Sequence, residues 1–554
     1  MFCELPTAYC KLPTYLFKNN YMKILKIVSL IATGMLLFSC EKNVLDKNPL
    51  GEIDEGLVWT DVNLATLYVN NIYAAIPGGI QRNMDCATNL GDQGHNWMST
   101  QTWNIGDITP ASAPFQDEWY ICYTQIRAAN NVLVNAGTLQ GSPAAIDQLK
   151  GQAYFLRAYY YTELVNLFGG VPLIDKPQAL TDDLMVARNS YDECVGFISS
   201  DLDQAATLLP EQWDGADLGR ASKGAALALK SRILLSAASP LHNQSNSSAK
   251  WQAASDAAKA VIDLGVYSLY PDYYRLFHVD NNSEVIFDLQ YAFPIRTQGA
   301  EYWLNPQGFQ GAFGALRPSQ QLVDMYEMSN GKAINEAGSG YDPNNPYVNR
   351  DPRFYKSILY NGAPWRGRIV ETFTDGASGP GQFDQYATGG QMTGYYGRKF
   401  ISEANPIGGA DKANENWILI RYVEILLDYA EAQIALGNND EGRKYINMVR
   451  TRAGLPDLNT SLAGTALRDK LRSERTVELP FEEVYFFDVR RWKVAEVLVG
   501  EPIKKMEITA TGPNQYTYEV KDMETREWRP AFYYLPIPQD EINKNPKLQQ
   551  NPGY

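Results

Sequence analysis

The chain has 554 residues, a net charge of −14 at pH 7 and 12% aromatic residues, among them 35 tyrosines and 11 tryptophans. The acidity is spread without a basic stripe, which excludes a nucleic-acid binder working by phosphate neutralisation. His95, His242 and His278 stand far apart with no HExxH or Cys/His cluster, so a zinc centre is excluded as well.

The first element is Met22 to Cys40, MKILKIVSLIATGMLLFSC. Lys23 and Lys26 precede an apolar run ending in Leu37-Phe38-Ser39-Cys40, the order of n-region, h-region and small-residue cleavage site of a secretory signal peptide. The run is shorter than the ~20 residues a membrane span needs. With cysteine at the cut it resembles the lipobox of bacterial lipoproteins, so Cys40 is the expected lipidation site. Residues 1–39 are expected to be removed, with Met22 the expected initiator. Residues 40–51 read as a polar tether, and 52–554 as a single domain with an N-terminal part of about 52–265 and a C-terminal part of about 280–554. With Cys40 acylated, Cys86, Cys122 and Cys194 remain. None lies in a CxxC spacing, and buried free thiols are expected rather than a disulfide framework.

Apolar spacing predicts a helix over 61–76, stopped by Pro77-Gly78-Gly79, and a second over 119–136. Residues 147–168 carry two apolar stripes and end at Gly169-Gly170, as expected of a helix packed on both sides. Helices are also predicted over 190–208, 223–238 and 250–264. From about 280 to 417 the chain turns rich in Gly, Pro, Asn and aromatics, with a short strand at Val285–Gln290 and one helix near Ser319–Met328. Helix returns at 421–436 and 440–453, then between Ala466 and Val499. The tail from Phe532 to Tyr554, punctuated by four prolines, reads as extended. The predicted class is therefore mainly α. Four hairpins of tetratricopeptide type (61–76 with 119–136, 147–168 with 190–208, 223–238 with 250–264, 421–436 with 440–453) carry a large irregular, loop-rich part with short strands.

Several stretches match one family in order. They are Ala153-Tyr154-Phe155-Leu156-Arg157-Ala158-Tyr159-Tyr160-Tyr161 leading to Gly169-Gly170-Val171-Pro172-Leu173, and Arg421-Tyr422-Val423-Glu424 with Tyr429-Ala430-Glu431-Ala432. Next come Asn447 to Pro456, Glu474-Arg475-Thr476-Val477-Glu478-Leu479, Phe487-Asp488-Val489-Arg490-Arg491-Trp492, Leu535-Pro536-Ile537-Pro538 and the terminal Gln550-Asn551-Pro552-Gly553-Tyr554. Together they resemble the SusD/RagB-like outer-membrane nutrient-uptake lipoproteins of Bacteroidetes. The family usually has Gly and Arg where this chain has Glu483 and Tyr485. The resemblance implies a lipid-anchored protein of the outer membrane, facing outward. Such a protein captures oligosaccharides without catalysis and hands them to a SusC-like TonB-dependent transporter. Some members work with peptides instead.

The remaining motifs bear on chemistry. Glu474, Glu478 and Glu482 share a helical face, as a glycoside hydrolase using paired carboxylates would need. Arginines crowd the same stretch, so structural ion pairs are the expected reading. No cofactor is expected. Asp280-Asn281-Asn282-Ser283-Glu284 offers calcium-type oxygens, although such a run reads first as a turn. Gly308, Gly311 and Gly314 lack a following helix to receive a phosphate. Sugar rings stack a C–H face on Trp or Tyr and hydrogen-bond through hydroxyls, so aromatics in polar loops mark the candidate site. Three loop stations qualify: Asp92 to Trp97 with Trp103; Tyr291 through Arg296 to Trp303; and Trp365 to Arg368, with Tyr395 and Tyr396 beyond. The ligand-binding residues expected from them are Trp97, Trp303, Trp365, Asp92, Asn96, Arg296, Tyr302 and Arg368. Trp119, Trp251, Trp417 and Trp492 lie on helical stripes or family motifs and are expected in the core.

Overall fold

The computed structural model describes residues 55–83, 87–96, 102–373, 384, 392–408 and 414–554. Among the described residues, ten helices of eight residues or more organise the chain from Trp59 onward. They are α1 (Val62–Ala74), α2 (Gln116–Asn135), α3 (Pro143–Phe168), α4 (Tyr191–Leu208), α5 (Lys223–Ala238), α6 (Ser248–Asp263), α7 (Tyr422–Ala435), α8 (Asn439–Ala453), α9 (Gly464–Glu478) and α10 (Val484–Arg491). Each expected hairpin is present, and neighbouring hairpins also pack on one another: α2 on α3, α4 on α5, and α6 on α7. Among the described residues no helix is long and apolar enough to cross a membrane.

Local chemistry sets the helix starts. Asp61 accepts from Asn63 N at 2.7 Å to cap α1. Ser142, followed by Pro143 in the first turn, caps α3, and Ser190 with Glu193 forms a capping box on α4. The α3 helix is buried on nearly every face of its second half. Its last carbonyls, orphaned by the helix end, are closed from outside. Arg188 donates to the Phe168 and Gly170 carbonyls, and Asn551 Nδ2 donates to Phe168 O at 3.0 Å. The terminal Asn551-Pro552-Gly553-Tyr554 thus wraps the end of α3, and Tyr554 Oη donates to Tyr534 O at 2.9 Å. At Gly170 any Cβ would collide with the Asn189 carbonyl, so only glycine fits that approach.

Among the described residues the strands are short except in one C-terminal hairpin. β1 (Gly94–Asn96) pairs antiparallel with β3 (Leu316–Pro318). β2 (Val285–Leu289) pairs antiparallel with β4 (Trp417–Arg421), which runs directly into α7. The sequence reading did not anticipate the long hairpin of β5 (Ile503–Gly512) and β6 (Gln515–Glu524). Trp119, Trp251, Trp417 and Trp492 are buried, as are Cys122 and Cys194, which are free thiols.

The charged motif of α9 lies inside the molecule. Glu478, fully buried, is shared by Arg353 at 3.0 Å, Arg421 at 2.9 Å and Arg452. Glu474 bridges Arg353 and Arg450, and Glu482 pairs with Arg421 and Lys399. Although burial pushes upward, Arg452, Arg421 and Arg353 together hold the Glu478 carboxyl well below the usual range. Glu284 also pairs with Arg421 and Arg452, while Asn282 Nδ2 donates to the Leu276 and Val279 carbonyls. The 280–284 segment is thus a turn whose side chains are engaged, and among the described residues no cluster of His, Cys, Asp and Glu suits a metal ion.

Candidate functional site

The second and third loop stations meet at one short helix, Ala300–Leu304, and the first is tied to it through β3. Its inward face carries Glu301 and, one residue past its end, Asn305, one turn apart. Glu301 accepts from Ser402 N at 2.7 Å and from Arg366 at 2.7 Å. Asn305 Oδ1 accepts from Trp365 Nε1 at 2.8 Å and from Arg366 Nε at 3.0 Å. The third station therefore docks beneath the second. The first arrives through β1: Asn96 is in register with Leu316, and the adjacent Ala315 N donates to Trp303 O at 2.7 Å.

This lattice leaves Tyr302 and Trp303 half-buried on the outward side. Their rings pack edge-to-face at 4.9 Å, and Phe313 leans on Trp303 at 5.1 Å. Such fixed rings lose little entropy when a ligand stacks on them. Earlier in the same station, Arg296 lies over Tyr291 at 5.1 Å from the ring centroid, in a turn where Ala292 and Arg296 exchange backbone hydrogen bonds. Arg368 lies over Phe309 at 3.7 Å and is held by two hydrogen bonds to Asp384.

Some expected residues are displaced from this surface. Trp365 is fully buried; its indole braces Asn305 and has no free face for a sugar. Tyr395 and Tyr396 are likewise fully buried, with Tyr395 Oη donating to Gln320 at 2.7 Å. Asp92 faces inward beside Tyr485 and Arg526, where burial raises its carboxyl above the usual range. Arg368 reaches the surface only in part, neutralised by Asp384. Cys40 and Trp97 lie outside the described residues, and Asn96 is placed by its backbone alone. Sequence reasoning missed Phe309 and Phe313. Their signal was the Gly308–Gly314 stretch, in which phenylalanines alternate with turn-forming glycines; Gly311 and Gly314 adopt φ of +83° and +61°.

The departure at Glu483 is legible in the same geometry. Glu483 has φ +65°, the left-handed conformation that glycine adopts without cost. Its carboxylate accepts from Gly79 N at 3.1 Å and Trp417 Nε1 at 3.0 Å, and pairs with Arg82. Arg82 also holds Glu118 and Glu163. These bonds offset the backbone strain and fix the Pro77–Arg82 turn next to Tyr291, whose hydroxyl lies 3.3 Å from where a Gly79 Cβ would sit.

A solved SusD-like protein of Bacteroides fragilis is 31% identical, covers 92% of this chain and 100% of its own, and superposes with a TM-score of 0.77. The chain belongs to the SusD family. The profile of the SusD family matches residues 283–554, and a second profile, described as starch-binding associating with outer membrane, matches 51–235. A SusD-like carbohydrate-binding protein of the same organism is 25% identical, covers 89% of this chain and 99% of its own, and has a TM-score of 0.77. The SusD-like protein P25 of Formosa agariphila is 27% identical over 81% of this chain and 82% of its own length. The two profiles together take in both the N-terminal helices and the C-terminal half, and this SusD-like fold is mainly helical with a loop-rich insert.

Proposed function

We propose that the protein captures oligosaccharides on the half-buried aromatic surface around Tyr302 and Trp303 and passes them, unaltered, to a TonB-dependent transporter in the outer membrane. One observation carries this reading: a short helix, held from beneath by the Trp365–Arg366 loop, leaves Tyr302 and Trp303 half-buried in edge-to-face contact. Arg296, lying over Tyr291 in the same loop station, would supply polarity for reading hydroxyls. The carbohydrate-binding description of the Bacteroides fragilis relative and the starch-binding profile support this ligand class. Acyl chains on Cys40 would hold the protein at the membrane.

The absence of catalysis in this reading rests on the carboxylates. Glu163 and Asp428 are raised by burial, as a general acid requires. Yet they line an interior cavity of about 60 Å³ together with Arg82, Arg232 and Arg475. That space admits water and not a sugar ring. Glu478 and Glu474 are saturated by arginines. A glycan-array screen of the folded protein tests the reading: retention of a defined oligosaccharide class, with no new reducing ends, supports it. Peptide binding without glycan binding, or release of reducing ends, overturns it.

A further inference from the structure

The interior cavity of about 60 Å³ lies where α3 and α5 meet α7, α9 and α10. Charge on its wall does not balance: four guanidiniums between them hold seven buried carboxylates. Arg82 takes Glu118 and Glu163, each at 2.6 Å, and Glu483. Arg475 takes Asp428 and Asp488, each at 2.6 Å. Arg491 takes Asp488 and Glu431, each at 2.8 Å, and Arg232 takes Glu424 at 2.7 Å. Glu482, on the same wall, is served separately by Arg421 and Lys399. Buried negative charge in excess is relieved by protonation. Hydrogen bonding shows which carboxyls take the protons. Glu118, Glu424 and Glu431 each grip a guanidinium with both oxygens. Asp488 bridges two arginines, and Glu483 adds Gly79 N and Trp417 Nε1. Glu163 and Asp428 each meet one guanidinium through one oxygen. The other oxygen of Asp428 meets the Ser231 hydroxyl at 3.3 Å, a group able to accept a proton as well as donate one.

We propose that this cavity is a proton-holding clamp between the N-terminal hairpins and the C-terminal helices, tight while Glu163 and Asp428 are protonated and loosened when they ionise. Burial is the largest influence on Glu163 and pushes its carboxyl up to about 7; Arg82 and Arg232 oppose it, while Glu118 and Glu483 reinforce it. Tyr159 on α3 and Cys122 on α2 also face Glu163, and burial keeps both neutral. Burial likewise pushes Asp428 up to about 7, against Arg475 and Arg491 and together with Glu424. Arg232 faces Asp428 from α5. The sign follows. Below the ordinary carboxylate range folded and unfolded chains are both protonated. Above it the unfolded chain releases protons that the folded one keeps, so stability is lost as pH rises through about 7. Ionised Glu163 would crowd Arg82, which also fixes the Pro77–Arg82 turn through Glu483, so that turn loosens with the clamp. The clamp belongs to the scaffold and stands apart from glycan binding.

Chemical denaturation of the wild type, Glu163→Gln and Asp428→Asn across the range from acid to alkaline pH tests the clamp. Each amide copies the neutral acid in shape and cannot ionise. One retained proton makes the wild-type folding constant fall about tenfold per pH unit against a variant without it. Each variant should therefore gain at least about tenfold on the wild type between the ordinary carboxylate range and neutrality, with no further gain in alkali. His242, held low by burial, also contributes to the pH profile, but it is common to all three proteins and cancels in the difference. Infrared difference spectra of the wild type between mildly acidic and alkaline pH should show loss of a protonated-carboxyl stretch, weakened in each variant. A variant less stable than the wild type by the same factor at every pH would mean ionised carboxylates in plain ion pairs, and overturns the clamp. Wild-type stability that follows sodium or potassium at fixed ionic strength would put a cation where the protons are assigned, and overturns it too. Should a variant fail to fold, the wild-type infrared spectrum decides: absence of the protonated-carboxyl band refutes the proposal.

Discussion

Glu478→Gln is the sharpest perturbation of the buried charge network. The substitution keeps the shape of the side chain and removes one negative charge from the contact with Arg353, Arg421 and Arg452. Breaking a buried ion pair typically costs about 3–5 kcal/mol. Here the low end applies, because each arginine keeps another carboxylate: Arg353 has Asp351 and Glu474, Arg421 has Glu284 and Glu482, and Arg452 has Glu284. With an unfolding entropy of about 2.1 cal/mol/K per residue over roughly 500 residues, a loss of about 3 kcal/mol lowers Tm by about 3 °C. The pH dependence has a definite sign. The folded carboxyl lies below its ordinary value of 4.5, so its stabilisation is fully present above about pH 4.5 and is lost as pH falls below it. Scanning calorimetry at pH 7 and below pH 4 measures both effects: the variant should be less stable at neutral pH, and the difference should shrink in acid. Glycan affinity of the folded variant should equal that of the wild type. An unchanged Tm together with lost binding or lost turnover would refute the structural role of this carboxylate.

Trp365→Ala should act through stability, costing about 3–5 kcal/mol as a fully buried tryptophan removed from a packed site; a variant with unchanged chemical-denaturation midpoint and impaired binding would restore it to the ligand surface. Glu483→Gly relieves the left-handed backbone but strips partners from Gly79, Trp417 and Arg82. Unsatisfied buried donors cost ~1–3 kcal/mol each against ~1–2 kcal/mol of relieved strain, so denaturation should show a net loss near 2 kcal/mol, and a gain in stability would contradict the compensation. Cys40→Ala should abolish acylation and release the protein from the membrane fraction; continued partition with lipid would sink the lipobox reading.

The helical scaffold was readable because its signals are local. Residues 147–168 announced a doubly apolar helix stopped at Gly169, and the structure extends it only at the front, to the Ser142-Pro143 cap that the apolar spacing alone did not weigh. The β5–β6 hairpin was also written locally, in the alternation of Tyr516, Tyr518 and Val520 after the Gly512-Pro513-Asn514 turn, but its second strand is largely exposed and polar, so its apolar alternation is weak. The site was legible only at the level of loops. Composition marked the Trp365 station, yet which of its rings faces water depends on Asn305, sixty residues away, accepting the indole N–H. A nonlocal hydrogen bond of that kind leaves no periodicity in the chain. Asp92 failed for the same reason, since its neighbours Tyr485 and Arg526 come from the far end of the sequence.

Isothermal titration of the wild type and of Trp303→Ala with the oligosaccharide retained in the array screen tests the central claim most directly. Stacking on an aromatic is worth about 1–3 kcal/mol per ring by analogy with nucleic-acid bases, so Trp303→Ala should bind about tenfold or more weakly while its circular dichroism and melting remain those of a folded protein. A folded Trp303→Ala that binds as tightly as the wild type would contradict the account.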